Sequence, residues 1–162
     1  MKKNFLTTFM TVMLITVTAF ANGWQQIYTD DSNNQIYFNP DSVQVTARDN
    51  DSATFSASFR MIYSNKGRDI LIDWYRNNSV MPRDIESLAY DVAKINFRKD
   101  GDERYYCIES RISYRADGSE IKDMHYIAEE NPTWQPIQIG SVLDVEYYNA
   151  ILIVEGKEFD IQ

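Results

Sequence analysis

From Thr54 to Tyr63 the chain alternates without a break. Phe55, Ala57, Phe59, Met61 and Tyr63 fall on one side, and Thr54, Ser56, Ser58 and Arg60 on the other. Successive side chains of a strand point to opposite faces, so this pattern predicts a strand with one buried and one wetted face. Such a strand belongs in an antiparallel sheet packed on one side, which constrains everything around it.

The flanking segments supply further strands. Gly23 to Tyr28 fits a first strand, and the polar run Thr29 to Asn34 fits a turn, because Asp, Ser and Asn side chains bond to their own backbone. Gln35 to Phe38 is a second short strand, and Asn39-Pro40-Asp41-Ser42 turns the chain because Pro40 pre-sets its dihedral. Val43 and Val45 alternate in a short strand from Ser42 to Thr46, followed by a polar hairpin connection from Ala47 to Ser52.

Beyond Tyr63, Ser64 to Asp84 is the least regular stretch. It opens with the turn signal Asn65-Lys66-Gly67, contains Trp74-Tyr75, and reads either as a packed flap or as a recognition tip. Trp74 and Tyr75 are the candidate binding residues. Asp84 to Phe97 fits both a helical stripe (Ile85, Leu88, Ala89, Val92) and a strand; the hairpin signal at Lys99-Asp100-Gly101-Asp102 favours the strand. Glu103 to Arg115 alternates again, with Tyr106, Ile108, Ser110, Ile112 and Tyr114 on one face. Asp117-Gly118 marks the next hairpin, and Glu120 to Ile127 returns as a strand, completing a three-strand meander.

The last unit carries helical punctuation. Ser141 and Asp144 are spaced as a capping-box-like pair, Val142, Val145, Tyr148 and Leu152 define one face, and Gly156 suits the left-handed residue after the end. The rival is a final strand, since Ile151 to Val154 is β-prone. Strands followed by a terminal helix give an α+β class, with the helix lying across an antiparallel sheet.

The N-terminus reads as a signal peptide: Lys2 and Lys3, an apolar run from Phe5 to Phe20, and the small-x-small site Ala19-Phe20-Ala21. Cleavage after Ala21 leaves residues 22–162 as one domain in the periplasm, at the cell surface or secreted, without a membrane span. Asn22 follows the cleavage site, so no cysteine is there for lipid attachment. Without Lys2 and Lys3, 14 basic side chains face 24 acidic ones, a net charge of −10, which argues against nucleic acid as the partner. The single cysteine, Cys107, allows no internal disulfide and reads as structural or incidental; the remaining option is an intermolecular bridge that makes a covalent homodimer.

Catalytic signatures are missing. His125 is the only histidine and no spacing sets it beside a nucleophile and an orienting group. One His and one Cys do not make a zinc site, and Asp100-Gly101-Asp102 lacks the rest of a calcium loop. No phosphate-binding or hydrolase motif occurs, so the reading is of a non-enzymatic chain with no cofactor and no metal.

Four motifs together resemble the surface-adhesin protein E family of small exported bacterial proteins. They are Trp24 with Ile27, QIYFNPDSV at 35–43, SYRADGS at 113–119 and WQPIQIGSVLDVEYYNAI at 134–151. The resemblance implies an antiparallel sheet of about six strands with a C-terminal helix packed on one face. It further implies a surface or envelope role in binding a protein partner, whether a host matrix or serum protein or an envelope protein, and no catalysis. The family's lipid anchor has no counterpart here, and the places of its sheet-to-helix disulfide fall near Phe97 and Ile153, both apolar, where a hydrophobic contact replaces the bridge.

Overall fold

The structure is a computed structural model that describes residues 23–128 and 133–156. The predicted signal peptide lies outside the described residues. Seven strands form one antiparallel sheet: β1 (Gln25–Thr29), β2 (Gln35–Arg48), β3 (Ser52–Ile62), β4 (Leu88–Asp100), β5 (Glu103–Arg115), β6 (Tyr126–Ile127) and β7 (Gln135–Pro136). The order is β1-β2-β3-β4-β5-β6, with β7 also pairing β5. With them, among the described residues, two α-helices, α1 (Asn65–Asn77) and α2 (Val142–Glu155), give an α+β architecture.

The alternating strand behaves as its pattern requires. Phe55, Ala57 and Phe59 are buried and join Phe38, Ile95 and Phe97 in the main core, which α2 covers with Tyr147, Ala150, Ile151 and Val154. Phe97 meets the Tyr147 ring edge-on, with centroids 5.8 Å apart, while Ile153 packs at the margin of the same core. Burying such aromatic side chains contributes on the order of 2–3 kcal/mol each. The sheet and the helix are therefore joined by apolar packing.

The caps of α2 are those expected. Ser141 Oγ accepts from Asp144 N at 3.2 Å, and Gly156 closes the helix at φ 69°. The Asp144 carboxylate does not complete the capping box; it accepts from Gly140 N and from Arg104 Nη1 at 2.7 Å, tying the helix start to β5. The buried face also differs from the expected stripe. Tyr148 is exposed, and Tyr147, Ala150, Ile151 and Val154 face the sheet. Ten of the residues from Val142 to Val154 are apolar or aromatic, so periodicity alone cannot select which side packs.

Several connections depart from the expectation. The strands at 35–38 and 42–46 are one continuous β2, with a register irregularity between Asn39 and Gln44 in place of the turn. Pro40 fits there because β1 pairs only as far as Phe38, so its missing N–H leaves no ladder bond unmade. The irregular stretch after Tyr63 is helix α1, and a 3-10 turn at Ile85–Ser87 precedes β4. The return strand expected over Glu120 to Ile127 shrinks to a Tyr114–Glu120 bridge, a 3-10 turn at Lys122–Met124 and the two-residue β6. Ile121 and Met124 there join Ile85 and Leu88 in a second small core.

The consequential departure lies in β5. Lys94 pairs with Ser110 but Ile95 pairs with Ile108, so Glu109 is an extra residue, a β-bulge. One inserted residue exchanges the faces of everything beyond it. Tyr106 and Ile108 stay on the helix side, whereas Ser110, Ile112 and Tyr114, expected to share their face, turn to the other. Arg111 and Ser113 take their place, opposite Ala93 and Asp91.

Candidate functional site: a cleft beneath the first helix

Helix α1 forms where the chain offers an N-cap and an apolar stripe. Ser64 Oγ accepts from Gly67 N at 2.9 Å, and Ile70, Leu71, Trp74 and Tyr75 recur at helical spacing. Its start is pinned to the β1–β2 turn. Asp30 accepts from Ser32 N, Asn34 N and Asn34 Nδ2, and Asn34 Oδ1 in turn accepts from Ser64 N at 2.9 Å. Gly67 makes this approach feasible, because a Cβ there would stand 1.9 Å from Asn34 Oδ1.

Between α1 and the sheet lies a cleft of about 590 Å³, walled by Ile70, Leu71, Trp74 and Tyr75 and floored by Met61, Tyr63 and Arg111. A second cavity of about 240 Å³ shares Met61, Tyr63 and Arg111 with it, adds Asp91, and ends against Val142, Leu143 and Glu146 of α2. The two hollows adjoin along one floor. Apolar walls over a few convergent polar groups are the ordinary chemistry of a ligand cleft.

Trp74 and Tyr75 both line this cleft, but they play different parts. Tyr75 packs on the second core, while Trp74 is 56% exposed at the rim, its ring edge-on to Tyr75 at 5.0 Å. Ile70, one turn before Trp74, is 53% exposed. The stretch is thus both packed element and exposed tip, divided by the two sides of a helix.

The polar floor was not visible in the sequence. Tyr63 Oη donates to Asp91 Oδ2 at 2.8 Å, and Arg111 Nε stands 4.0 Å from the same oxygen. Burial, and then the neighbouring Asp91 charge, push the Tyr63 phenol far above its ordinary range, so it stays a donor. Asp91 is 5% exposed and Ser113 fully buried, yet Asp91 Oδ1, Arg111 Nε and Ser113 Oγ have no hydrogen-bond partner among the described residues. Glu146 is buried, and that desolvation raises its carboxyl to about 8. At neutral pH it is mostly a protonated donor.

The signals that could have found these groups are weak but real. Asp91 is a lone acid in an alternating apolar strand, and Glu146 interrupts an apolar helix run. The bulge at Glu109, which turns Arg111 and Ser113 to the helix side of the sheet, left no mark in the pattern. Elsewhere, His125 Nε2 lies 3.6 Å from Glu120 Oε2 at the sheet edge, and Cys107 is buried on the helix-free face, its thiol pushed up by desolvation. Among the described residues no group of three His, Cys, Asp or Glu side chains could hold a metal ion. Nor is any helix among them long and apolar enough to cross a membrane.

No family model, curated protein or solved structure matches the chain.

Proposed function

We propose that the chain is an exported, non-enzymatic binding domain that takes an apolar anchor side chain of a protein partner into the cleft beneath α1. The observation that carries this reading is the pairing of an exposed apolar rim, Ile70 and Trp74, with a recessed floor of Met61, Tyr63 and Arg111, the Tyr63 phenol being held by Asp91 behind it. Protein interfaces concentrate affinity in Trp, Tyr and Arg around a desolvated pocket. The floor adds donor and acceptor groups that orient a polar neighbour of that anchor. The signal-peptide pattern and the resemblance to the surface-adhesin protein E family support an exterior or envelope setting.

The test is direct binding of the mature domain, residues 22–162, to purified matrix, serum and envelope proteins. Saturable binding that weakens at least tenfold in Trp74→Ala is expected; no saturable interaction with any of them sinks the proposal.

A second reading, an envelope accessory domain that pairs with a partner or with itself, rests on a different feature. Beyond Phe38 the outer edge of β2 has no strand partner among the described residues, and Val45 on it is exposed. An open edge is a template for strand addition. Protease treatment of intact cells separates the two: cleavage of the domain places it outside, and protection places it in the periplasm.

A further inference from the structure

The sheet face turned away from both helices carries two arginines in the same unusual setting. Arg60 Cζ lies 4.5 Å from the Trp24 ring centroid and 5.2 Å from that of Tyr90. Arg98 Cζ lies 4.7 Å from Tyr105 and 5.1 Å from Trp134. Each guanidinium is thus within cation–π range of one tryptophan and one tyrosine.

Neither has a hydrogen bond or an ion pair with any described residue, and both Nε atoms are buried without a partner. Other arginines of the fold are spent on structure: Arg48 donates to Val154 O, Arg104 to Asp144 and Arg115 to Asp84. Rings that hold a planar guanidinium in place without using its donors leave it ready for an oxyanion, at little further loss of side-chain freedom.

The two lie at opposite ends of one face. Arg60 pairs with Val92, six positions before Arg98 on β4, which separates them by roughly 20 Å. Between them the face offers Ser58, Lys94 and Ser110 in one row and, in the next, Asn96 between the buried Ser56 and Cys107. Lys94 is already paired to Glu109 at 2.9 Å.

We propose that this face binds an extended acidic polysaccharide, with a carboxylate or sulfate group at Arg60, another at Arg98, and sugar hydroxyls across Ser58, Ser110 and Asn96 between them. A protein partner would call for an apolar centre, which the middle of this face lacks. A single-stranded nucleic acid needs exposed aromatic platforms on which bases stack, whereas Trp24 is 8% exposed. Two fixed cations spaced along a hydroxyl-lined strip suit a polymer whose charges are spaced and whose remaining groups are alcohols.

The test is equilibrium binding of the mature domain to heparin and to polygalacturonate, with dextran, oligo(dT) and phosphatidylglycerol vesicles as competitors. Binding to at least one acidic polysaccharide is expected, at least tenfold weaker in Arg60→Gln and in Arg98→Gln and lost in the double variant, with circular dichroism unchanged. Arg60→Lys should not restore affinity, because an ammonium lacks the planar fork. Arg76→Gln, on the far side of α1, and Trp74→Ala should leave it intact. No binding to either polymer, unchanged binding by the double variant, an equal loss in Trp74→Ala, or tighter binding to oligo(dT) or vesicles would each overturn the proposal.

Discussion

Tyr63 donates its phenolic proton to Asp91 across 2.8 Å at the floor of the cleft, joining the end of β3 to a buried carboxylate of β4. This bond satisfies one oxygen of a side chain whose other oxygen has no hydrogen-bond partner among the described residues, so it governs how Asp91 is presented. Tyr63→Phe removes the donor and leaves the carboxylate less satisfied. Chemical denaturation should show a loss of about 1–3 kcal/mol, and an unchanged midpoint would mean that solvent replaces the phenol.

Glu146 makes stability depend on pH. Its carboxyl ordinarily loses the proton near 4.5, whereas burial holds it to about 8 in the folded chain, so the folded state binds more protons between those values. The contribution is therefore present in full below 4.5 and is lost as pH rises towards 8. Denaturation midpoints should fall across that window by an amount on the order of a few kcal/mol. Glu146→Gln should flatten the profile and raise stability at pH 8; a parallel profile in the variant would refute the assignment. Tyr63, Asp91 and Arg111 share the cavity and should be probed with it.

Gly67 is required by proximity. Its backbone conformation is ordinary helix, but an added methyl would collide with the Asn34 side chain that holds Ser64 N. Gly67→Ala should cost about 1–3 kcal/mol, against the gain of up to about 1 kcal/mol that a helix-interior glycine usually returns on this change. Faster hydrogen exchange in α1 than in α2 would locate the damage.

Phe97 is fully buried between Phe55, Phe59 and Tyr147. Phe97→Ala should cost about 3–5 kcal/mol in unfolding free energy. Cysteines at 97 and 153 would test the disulfide positions implied by the resemblance: failure to oxidise in the folded protein would show that those two sites do not face one another.

Trp74 stands at the rim, so its truncation should separate binding from folding. Thermal unfolding of Trp74→Ala should shift by the equivalent of about 0.5 kcal/mol or less, while affinity for a partner falls at least tenfold. A large loss of stability instead would make Trp74 a packing residue.

The strand at Thr54 to Tyr63, the hairpins at Gly101 and Gly118 and the caps of α2 were legible because each is a local rule. Period-two alternation, a glycine with positive φ and a serine three residues before a free N–H act within a few residues. Helix α1 was half legible: Ser64 and the spacing of Ile70, Leu71, Trp74 and Tyr75 are helical, but Asn65, Gly67 and the later Asn77-Asn78-Ser79 read as loop. The helix exists because its inner side packs on Ile85, Leu88, Ile121 and Met124, residues that sequence proximity does not bring together.

By itself, then, the sequence determined the class: a one-sided antiparallel sheet, capped at the end of the chain by a helix bounded by Ser141 and Gly156. Tertiary structure alone decided which side of that helix is buried, since nearly every side was apolar enough to serve. It also decided that Asp91, Arg111 and Ser113 come to the same side of the sheet. Strand register is a relation between two chains of backbone, and the bulge at Glu109, invisible in either strand read alone, turns Arg111 and Ser113 to the helix side.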